Sequence, residues 1–137
     1  MKVSLDRLRK ERRIEIDEND SQFAGSSARE STVGPLRVRL VLRAAAGVVQ
    51  VSGSIDGVFA GVCDRCAEPF TVRRCITVDE VYEPDERETR SRELDVSARI
   101  RDIVMEWIPV RQLCADGCRG VCPGCFANLN RERCRCT

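Results

Sequence analysis

Val58-Phe59-Ala60-Gly61-Val62-Cys63-Asp64-Arg65-Cys66-Ala67-Glu68-Pro69-Phe70-Thr71-Val72-Arg73-Arg74-Cys75-Ile76-Thr77-Val78 is the stretch that sets the architecture of this chain. Two runs rich in Val, Ile, Phe and Thr flank a Cys-x2-Cys turn, the pattern of a β-hairpin. Alternation puts Phe70, Val72, Ile76 and Val78 on one face and Cys75 on the other. Such a hairpin carries the Cys63/Cys66 pair at its tip, where short-range thiols present themselves to a metal. Cys75, alone in a strand, reads as a buried thiol, the usual fate of a free cysteine.

Toward the N-terminus, Leu36–Arg43 and Val48–Ile55 are two further strands, joined through Ala44-Ala45-Ala46-Gly47 as an antiparallel hairpin. Residues 18–35, rich in Asp, Asn, Ser, Gly and Ala, read as a loop. Alternation at Arg13-Ile14-Glu15-Ile16-Asp17 gives one more strand, preceded by the spaced apolar residues Val3, Leu5 and Leu8. Toward the C-terminus, residues 79–95 hold eight Asp/Glu against three Arg and read mostly as a solubilising loop. Asp95 is a good N-cap for a helix from Val96 to about Ile108. Val96, Ile100, Ile103, Val104 and Trp107 fall on its apolar face, and Pro109 ends it. The expected fold is α+β: a small antiparallel sheet or partial β-barrel, one C-terminal helix and a cysteine-rich knuckle tail. The expected division is 1–110 for the β-rich domain with its helix and 111–137 for the tail packed on it.

Six of the nine cysteines fall in the last twenty-four residues, Cys114-A-D-G-Cys118-R-G-V-Cys122-P-G-Cys125-F-A-N-L-N-R-E-R-Cys134-R-Cys136-Thr137. Nine divides into two fours and one. Cys122, Cys125, Cys134 and Cys136 make one candidate zinc site. Its Cys-Pro-Gly-Cys turn suits a knuckle, because Pro123 fixes the backbone and Gly124 lets amides approach sulfur. Cys134 and Cys136 can share one ion only if the tail curls there. Cys63, Cys66, Cys114 and Cys118 then form a second site, pinning the hairpin to the end of the helix. A rival partition places Cys114 or Cys118 in the tail site and leaves Cys63/Cys66 reactive. A thioredoxin-like role for that pair wants a helix after it to lower its thiol pKa, and a strand follows instead. Spacing alone does not separate zinc from iron.

The bulk numbers narrow the rest. The chain has 137 residues, 42% hydrophobic and only 4% aromatic, enough for one aliphatic core. Its net charge of +1 provides no strong global attraction to nucleic acid, and its cations are 21 Arg and 2 Lys. The absence of histidine excludes Cys-His nucleophilic chemistry and any histidine zinc ligand. No stretch approaches the ~20 apolar residues of a membrane span, and the opening Met1-Lys2-Val3-Ser4-Leu5-Asp6 does not read as a signal peptide. A cytoplasmic chain is expected, where cysteines serve metals more often than disulfides.

Three blocks, in order, carry a family resemblance. They are Cys63-D-R-Cys66 with Pro69-Phe70, the helix end Trp107-Ile108-Pro109, and Cys114-x3-Cys118-R-G-V-Cys122-P-G-Cys125-x4-Asn130 running into Cys134-R-Cys136. Over roughly residues 60–137 the chain resembles the YceD-like proteins, the large ribosomal RNA subunit accumulation proteins. Many members carry Gly after the Cys-Pro-x-Cys turn, where this chain has Phe126. The resemblance implies a non-enzymatic role in large-subunit ribosomal RNA accumulation and ribosome assembly. The expected partners are that RNA, its precursors or a ribosomal protein, with no membrane. From Arg111 onward the tail has five Arg against Asp116 and Glu132, so Arg119, Arg131, Arg133 and Arg135 are candidate phosphate contacts. Arg37, Arg39 and Arg43 are a second candidate set, with an ordinary solvated face as the plainer reading. The alternatives are a zinc interaction or chaperone module that meets a basic partner through 79–95, and an iron or thiol redox protein.

Overall fold

The alternating strand Leu36–Ala45 (β4) turns into Val48–Val62 (β5) through Ala46 and Gly47, whose φ angles are +50° and +85°. Two consecutive positive φ values make the tight turn that suits a two-residue hairpin. β5 is the axis of the sheet. Residues 49–62 pair antiparallel with Pro69–Tyr82 (β6) along one edge. The other edge carries β4 over 48–56 and the short strand Glu30–Thr32 (β3) over Phe59–Gly61. Arg13–Asp20 (β2) adds to the far side of β4, with Ile16 opposite Leu40. The computed structural model describes residues 1–21 and 30–136.

Alternation decides which face is buried. Ile14 and Ile16 of β2, Leu36, Val38, Leu40 and Leu42 of β4, Val49, Val51, Ile55 and Phe59 of β5, and Ile76 and Val78 of β6 all turn inward. They are covered by Leu5 and Leu8 of the helix Leu5–Glu11 (α1) and by Val96, Ile100 and Val104 of the helix Val96–Trp107 (α3). A two-stranded ribbon, Lys2–Ser4 (β1) against Glu93–Asp95 (β7), sets Val3 beside Leu94 under the same layer. A short helix, Glu86–Ser91 (α2), leads into β7. The class is α+β with open antiparallel sheets, as expected; β2 and β6 are not paired with each other among the described residues, so the sheet does not close into a full barrel.

Several expectations change. Two short helices, α1 and α2, join the one expected. The acidic stretch 79–95 is largely ordered: β6 runs to Tyr82, and α2 and β7 follow. β2 extends to Asp20 and β3 occupies Glu30–Thr32, so residues 18–20 and 30–32 of the expected 18–35 loop are strand; 22–29 lie outside the described residues. α3 begins where expected, with the Asp95 side chain accepting from the Ala98 amide. Trp107 is not in the core: it is 40% exposed at the helix end, with Arg74 5.1 Å above its ring. Cys75 is exposed, because its strand face looks outward toward Asp56 and Arg39.

Candidate metal centres

The tip of the β5–β6 hairpin is a knuckle in which each end holds the other. The Cys63 amide donates to the Glu68 carbonyl at 2.9 Å, and the Ala67 amide donates to the Cys63 carbonyl at 2.9 Å. The tail repeats this figure. The Cys122 amide donates to Ala127 at 2.9 Å, and the Phe126 amide to Cys122 at 2.8 Å. The residue after the second cysteine is left-handed in both copies, with φ of +58° at Ala67 and at Phe126. Amides inside each turn, from Arg65 and Cys66 in one and from Gly124 and Cys125 in the other, aim at the first sulfur. One local design is thus built twice, which follows from the shared Cys-x2-Cys spacing.

The structure brings together Cys63, Cys66, Cys114 and Cys118 in one group and Cys122, Cys125, Cys134 and Cys136 in another, the sulfurs within each lying within 4.8 Å of one another. Adjacent sulfurs stand 3.7 Å apart for Cys63–Cys118 and 3.8 Å for Cys66–Cys114. In the tail the spacings are 3.4 Å for Cys122–Cys134, 3.6 Å for Cys122–Cys136 and 3.9 Å for Cys125–Cys134. A disulfide needs ~2.05 Å. A zinc tetrahedron with Zn–S of ~2.3 Å has S–S edges of ~3.8 Å. Both quartets therefore fit a tetrahedral ion and could hold one. The tail curls at its end as the short final gap requires, and the Cys136 amide donates to the Cys134 sulfur at 3.4 Å.

The thiols in each quartet are split in acidity. Burial opposes ionisation of Cys63, but the amides of Cys66, Cys114 and Arg65 bring it down to about 6. Cys125 comes down to about 6 under the amides of Arg135 and Ala127. Their neighbours go the other way. Cys114 is pushed up to about 12, first by the adjoining Cys118 sulfur. Cys136 is pushed up to about 12 by Cys122 and Cys134. Four thiolates at these distances repel one another unless a cation sits among them. The amide donors supply part of that compensation, and a divalent ion would supply the rest.

The first quartet joins two distant parts of the chain, and residues between the ligands hold the joint. The Asp64 amide donates to the Gln112 carbonyl at 2.8 Å, and the Gln112 amide returns to the Asp64 carboxylate at 2.7 Å. Arg65 accepts from the Val121 amide at 3.2 Å and donates to the Cys118 carbonyl at 3.1 Å. Asn130 donates from its side-chain nitrogen to the Cys118 sulfur at 3.3 Å and accepts from the Arg119 amide at 2.8 Å. Asn128 reaches Glu68 at 3.1 Å, and Glu68 in turn pairs with Arg131 at 2.6 Å. Asp64, Arg65, Glu68, Gln112 and Asn128 escaped the sequence reading. Only their position beside ligating cysteines could have flagged them.

The candidate phosphate contacts divide into two kinds. Arg119, Arg131, Arg133 and Arg135 are all exposed. Arg131 is tied to Glu68 and Arg135 to Glu132, the latter at 2.7 Å. Among the described residues no carboxylate lies within 4.0 Å of the guanidinium of Arg119 or Arg133. On the sheet, Arg37 pairs with Asp17 at 2.6 Å and Arg39 with Asp56 at 2.8 Å, as on a self-compensated face. Cys75 lies beside that pair, where the Asp56 carboxylate raises its thiol pKa and makes it a poorer nucleophile. No helix among the described residues is long and apolar enough to cross a membrane.

The family profile described as Large ribosomal RNA subunit accumulation protein YceD matches residues 51–137. A curated relative, the Large ribosomal RNA subunit accumulation protein YCED homolog 1, chloroplastic, of Arabidopsis thaliana, is 42% identical over 45 residues. Those residues are 33% of this chain and span only 14% of that relative's length. No solved structure matches the chain at a significant level. The matched region runs from near the start of β5 to the last residue and holds both cysteine quartets, and the chain belongs to the YceD family of large ribosomal RNA subunit accumulation proteins.

Proposed function

We propose that the chain is a non-enzymatic, zinc-stabilised factor that supports accumulation of large-subunit ribosomal RNA and contacts that RNA, or a precursor of it, through its tail. One observation carries the reading: eight of the nine cysteines converge in two four-sulfur groups of tetrahedral spacing. A four-thiolate zinc site is closed and keeps no position for water or substrate, so its work is structural. What it organises is the tail. Residues 111–137 form a metal-built unit seated on the sheet domain 1–110, and its exposed arginines stand on a rigid frame. Of these four candidates, Arg119 and Arg133 have no carboxylate partner among the described residues. Arg131 and Arg135 sit in exposed ion pairs, which are weak enough to exchange for phosphate.

The test is gradient sedimentation of a cell lysate at low and moderate salt, comparing the unmodified chain with an Arg119→Glu/Arg133→Glu variant that still holds two metals. Salt-sensitive co-migration with large-subunit precursors, lost in the variant, is the expected result. A protein that stays at the top of the gradient at every salt would end the reading. A second reading has its own support. Asp85, Glu88, Glu93, Asp95 and Asp102 line one groove between α2, β7 and α3, with Lys2, Arg87 and Arg99 as the cations there. That groove suits a basic protein segment, and co-migration unaffected by the arginine variant but lost on charge reversal of the groove would favour it.

A further inference from the structure

Phe126 is out of place by every structural criterion. It is 78% exposed, whereas Phe59 is buried in the core and Phe70 packs against the first cysteine quartet. Its backbone sits at φ +58°, a region where glycine is at ease and a residue with a Cβ is strained. The twin position in the other knuckle also needs φ +58° and meets that need with a small side chain, Ala67. A bulky ring here neither fills a core nor relaxes the chain. Strain of this kind, held in place by the surrounding structure, marks functional positions.

The surroundings say what the ring can meet. Its backbone is clamped by the 2.8 Å bond from its amide to Cys122 and by the buried Ala127 that follows, so little freedom is left to lose on binding. The Arg135 amide donates to the sulfur of Cys125, the residue before Phe126, at 3.4 Å. Arg133 precedes Cys134, whose sulfur is 3.9 Å from that of Cys125. An exposed aromatic ring on the same knuckle as the exposed residues Arg133 and Arg135 suits a partner that is both anionic and π-faced. A membrane or an apolar protein groove would want more apolar surface around the ring, and an acidic protein would have no use for it. Nucleic acid offers both features, and only unpaired bases leave a face open to stack on.

We propose that Phe126 is a stacking platform for an unpaired base, so that the tail takes single-stranded segments of RNA in preference to duplex. This rests on the reading of the tail as an RNA contact. The experiment measures binding of the metal-loaded chain to a labelled single-stranded oligoribonucleotide and to the same strand in a duplex. Variants are Phe126→Trp, Phe126→Leu and Phe126→Gly, with Arg119→Glu/Arg133→Glu alongside. Expected is retention of single-strand affinity in Phe126→Trp and a loss of ~10-fold in both Phe126→Leu and Phe126→Gly, with duplex binding unchanged. Phe126→Gly should bind less while melting at a higher temperature, because it relieves the strained backbone; a structural role would not produce those opposite signs. Wild-type affinity in Phe126→Leu, or equal losses on single strand and duplex, would overturn the stacking role. If the arginine variant loses binding and the Phe126 variants do not, the tail contact stands and stacking alone fails. If the unmodified chain binds neither RNA, or the arginine variant binds as well as wild type, the tail contact itself fails and stacking with it.

Discussion

Gly124 has no room for a side chain. A Cβ built on it would lie 2.7 Å from the Cys136 sulfur and 3.9 Å from that of Cys122. Gly124→Ala should therefore push the curled tail end off the second quartet while leaving the first intact. Elemental analysis is expected to fall from two metals per chain to one, and a stoichiometry of two would contradict the packing. Ala67 carries the opposite expectation. At φ +58° it sits where a Cβ is strained, and its exposed side chain makes no compensating contact in the core. Ala67→Gly should raise stability by ~0.5 kcal/mol, the left-handed penalty exceeding the extra chain entropy of glycine. A lower urea midpoint in the metal-loaded protein would reject that balance. Of the two positions only Gly124 was legible in the sequence. Pro123-Gly124 between cysteines announces a knuckle, whereas nothing in Ala67 or Phe126 announces a positive φ, because neither residue type prefers it.

β4 was legible for the reason that α1 was not. Over its ten residues, four alternate side chains go inside and the arginines between them go out, a period that no helix shares. α1 has seven residues and buries only Leu5 and Leu8, a single i, i+3 pair that is too short a run to establish a helical period. What makes it a helix is at its ends: Ser4 accepts from the Arg7 amide at 3.3 Å, Asp6 lies in the first turn, and Arg12 closes it at φ +63°. α2 buries nothing and is defined by its capping box between Asp85 and Glu88, so no apolar period existed to read. Brief as it is, α1 bears weight. Leu8 is fully buried against the sheet, and Leu8→Ala should cost ~2–4 kcal/mol in urea unfolding. Arg9→Ala, on the exposed side of the same helix, should stay within ~0.5 kcal/mol. Equal effects would mean that α1 is not docked. The contact between β6 and α3 has its own probe. Tyr82 is the one tyrosine of the chain, with the Arg99 guanidinium 4.0 Å from its ring centroid. Burial, then the charge of Glu88, pushes its pKa up to about 12. Between the ordinary phenol value of ~10 and this one the folded state holds a proton that the unfolded chain has lost, so stability is unaffected below ~pH 10 and falls as pH rises toward 12. Phenolate absorbance should titrate near 12 in the folded protein and near 10 in denaturant. A single value in both states would place Tyr82 in solvent.

At the scale of the molecule, the sheet core and the two cysteine quartets are separate clusters. The main apolar cluster contains no cysteine, and the cluster at the hairpin tip is built from Cys63, Cys66 and Cys118 with Phe70 and Leu113. The quartet reading was open in the sequence because the spacings were short. The joint between hairpin and tail was not, since forty-eight residues separate Cys66 from Cys114 and no local pattern reports a contact over that span. Stripping the metals under reducing conditions should then free 111–136 and the hairpin tip while β2, β4, β5 and β6 persist. Amide exchange is expected to rise in the tail and the hairpin tip alone; global exchange would mean that the two parts fold as one unit. Charge gives an independent reading of the same experiment. With neutral thiols the chain carries +1. Each zinc with four thiolates adds about −2, because coordination strips all four protons, so the doubly loaded chain carries about −3. At pH 7 it should run toward the anode, and the stripped chain should reverse or stall. Ferric iron would add only about −1 per site and colour the protein red. Loaded in this way the chain would be a net anion, and the proposed RNA contact would have to come from the few arginines that the tail holds clear of its thiolates. That makes the arginine variants far more damaging to binding than an equal change of charge on the sheet face: Arg119→Glu/Arg133→Glu should lose most RNA affinity, and Arg37→Glu/Arg39→Glu very little. Equal losses in the two would mean that RNA responds to total charge and not to the surface the metals build.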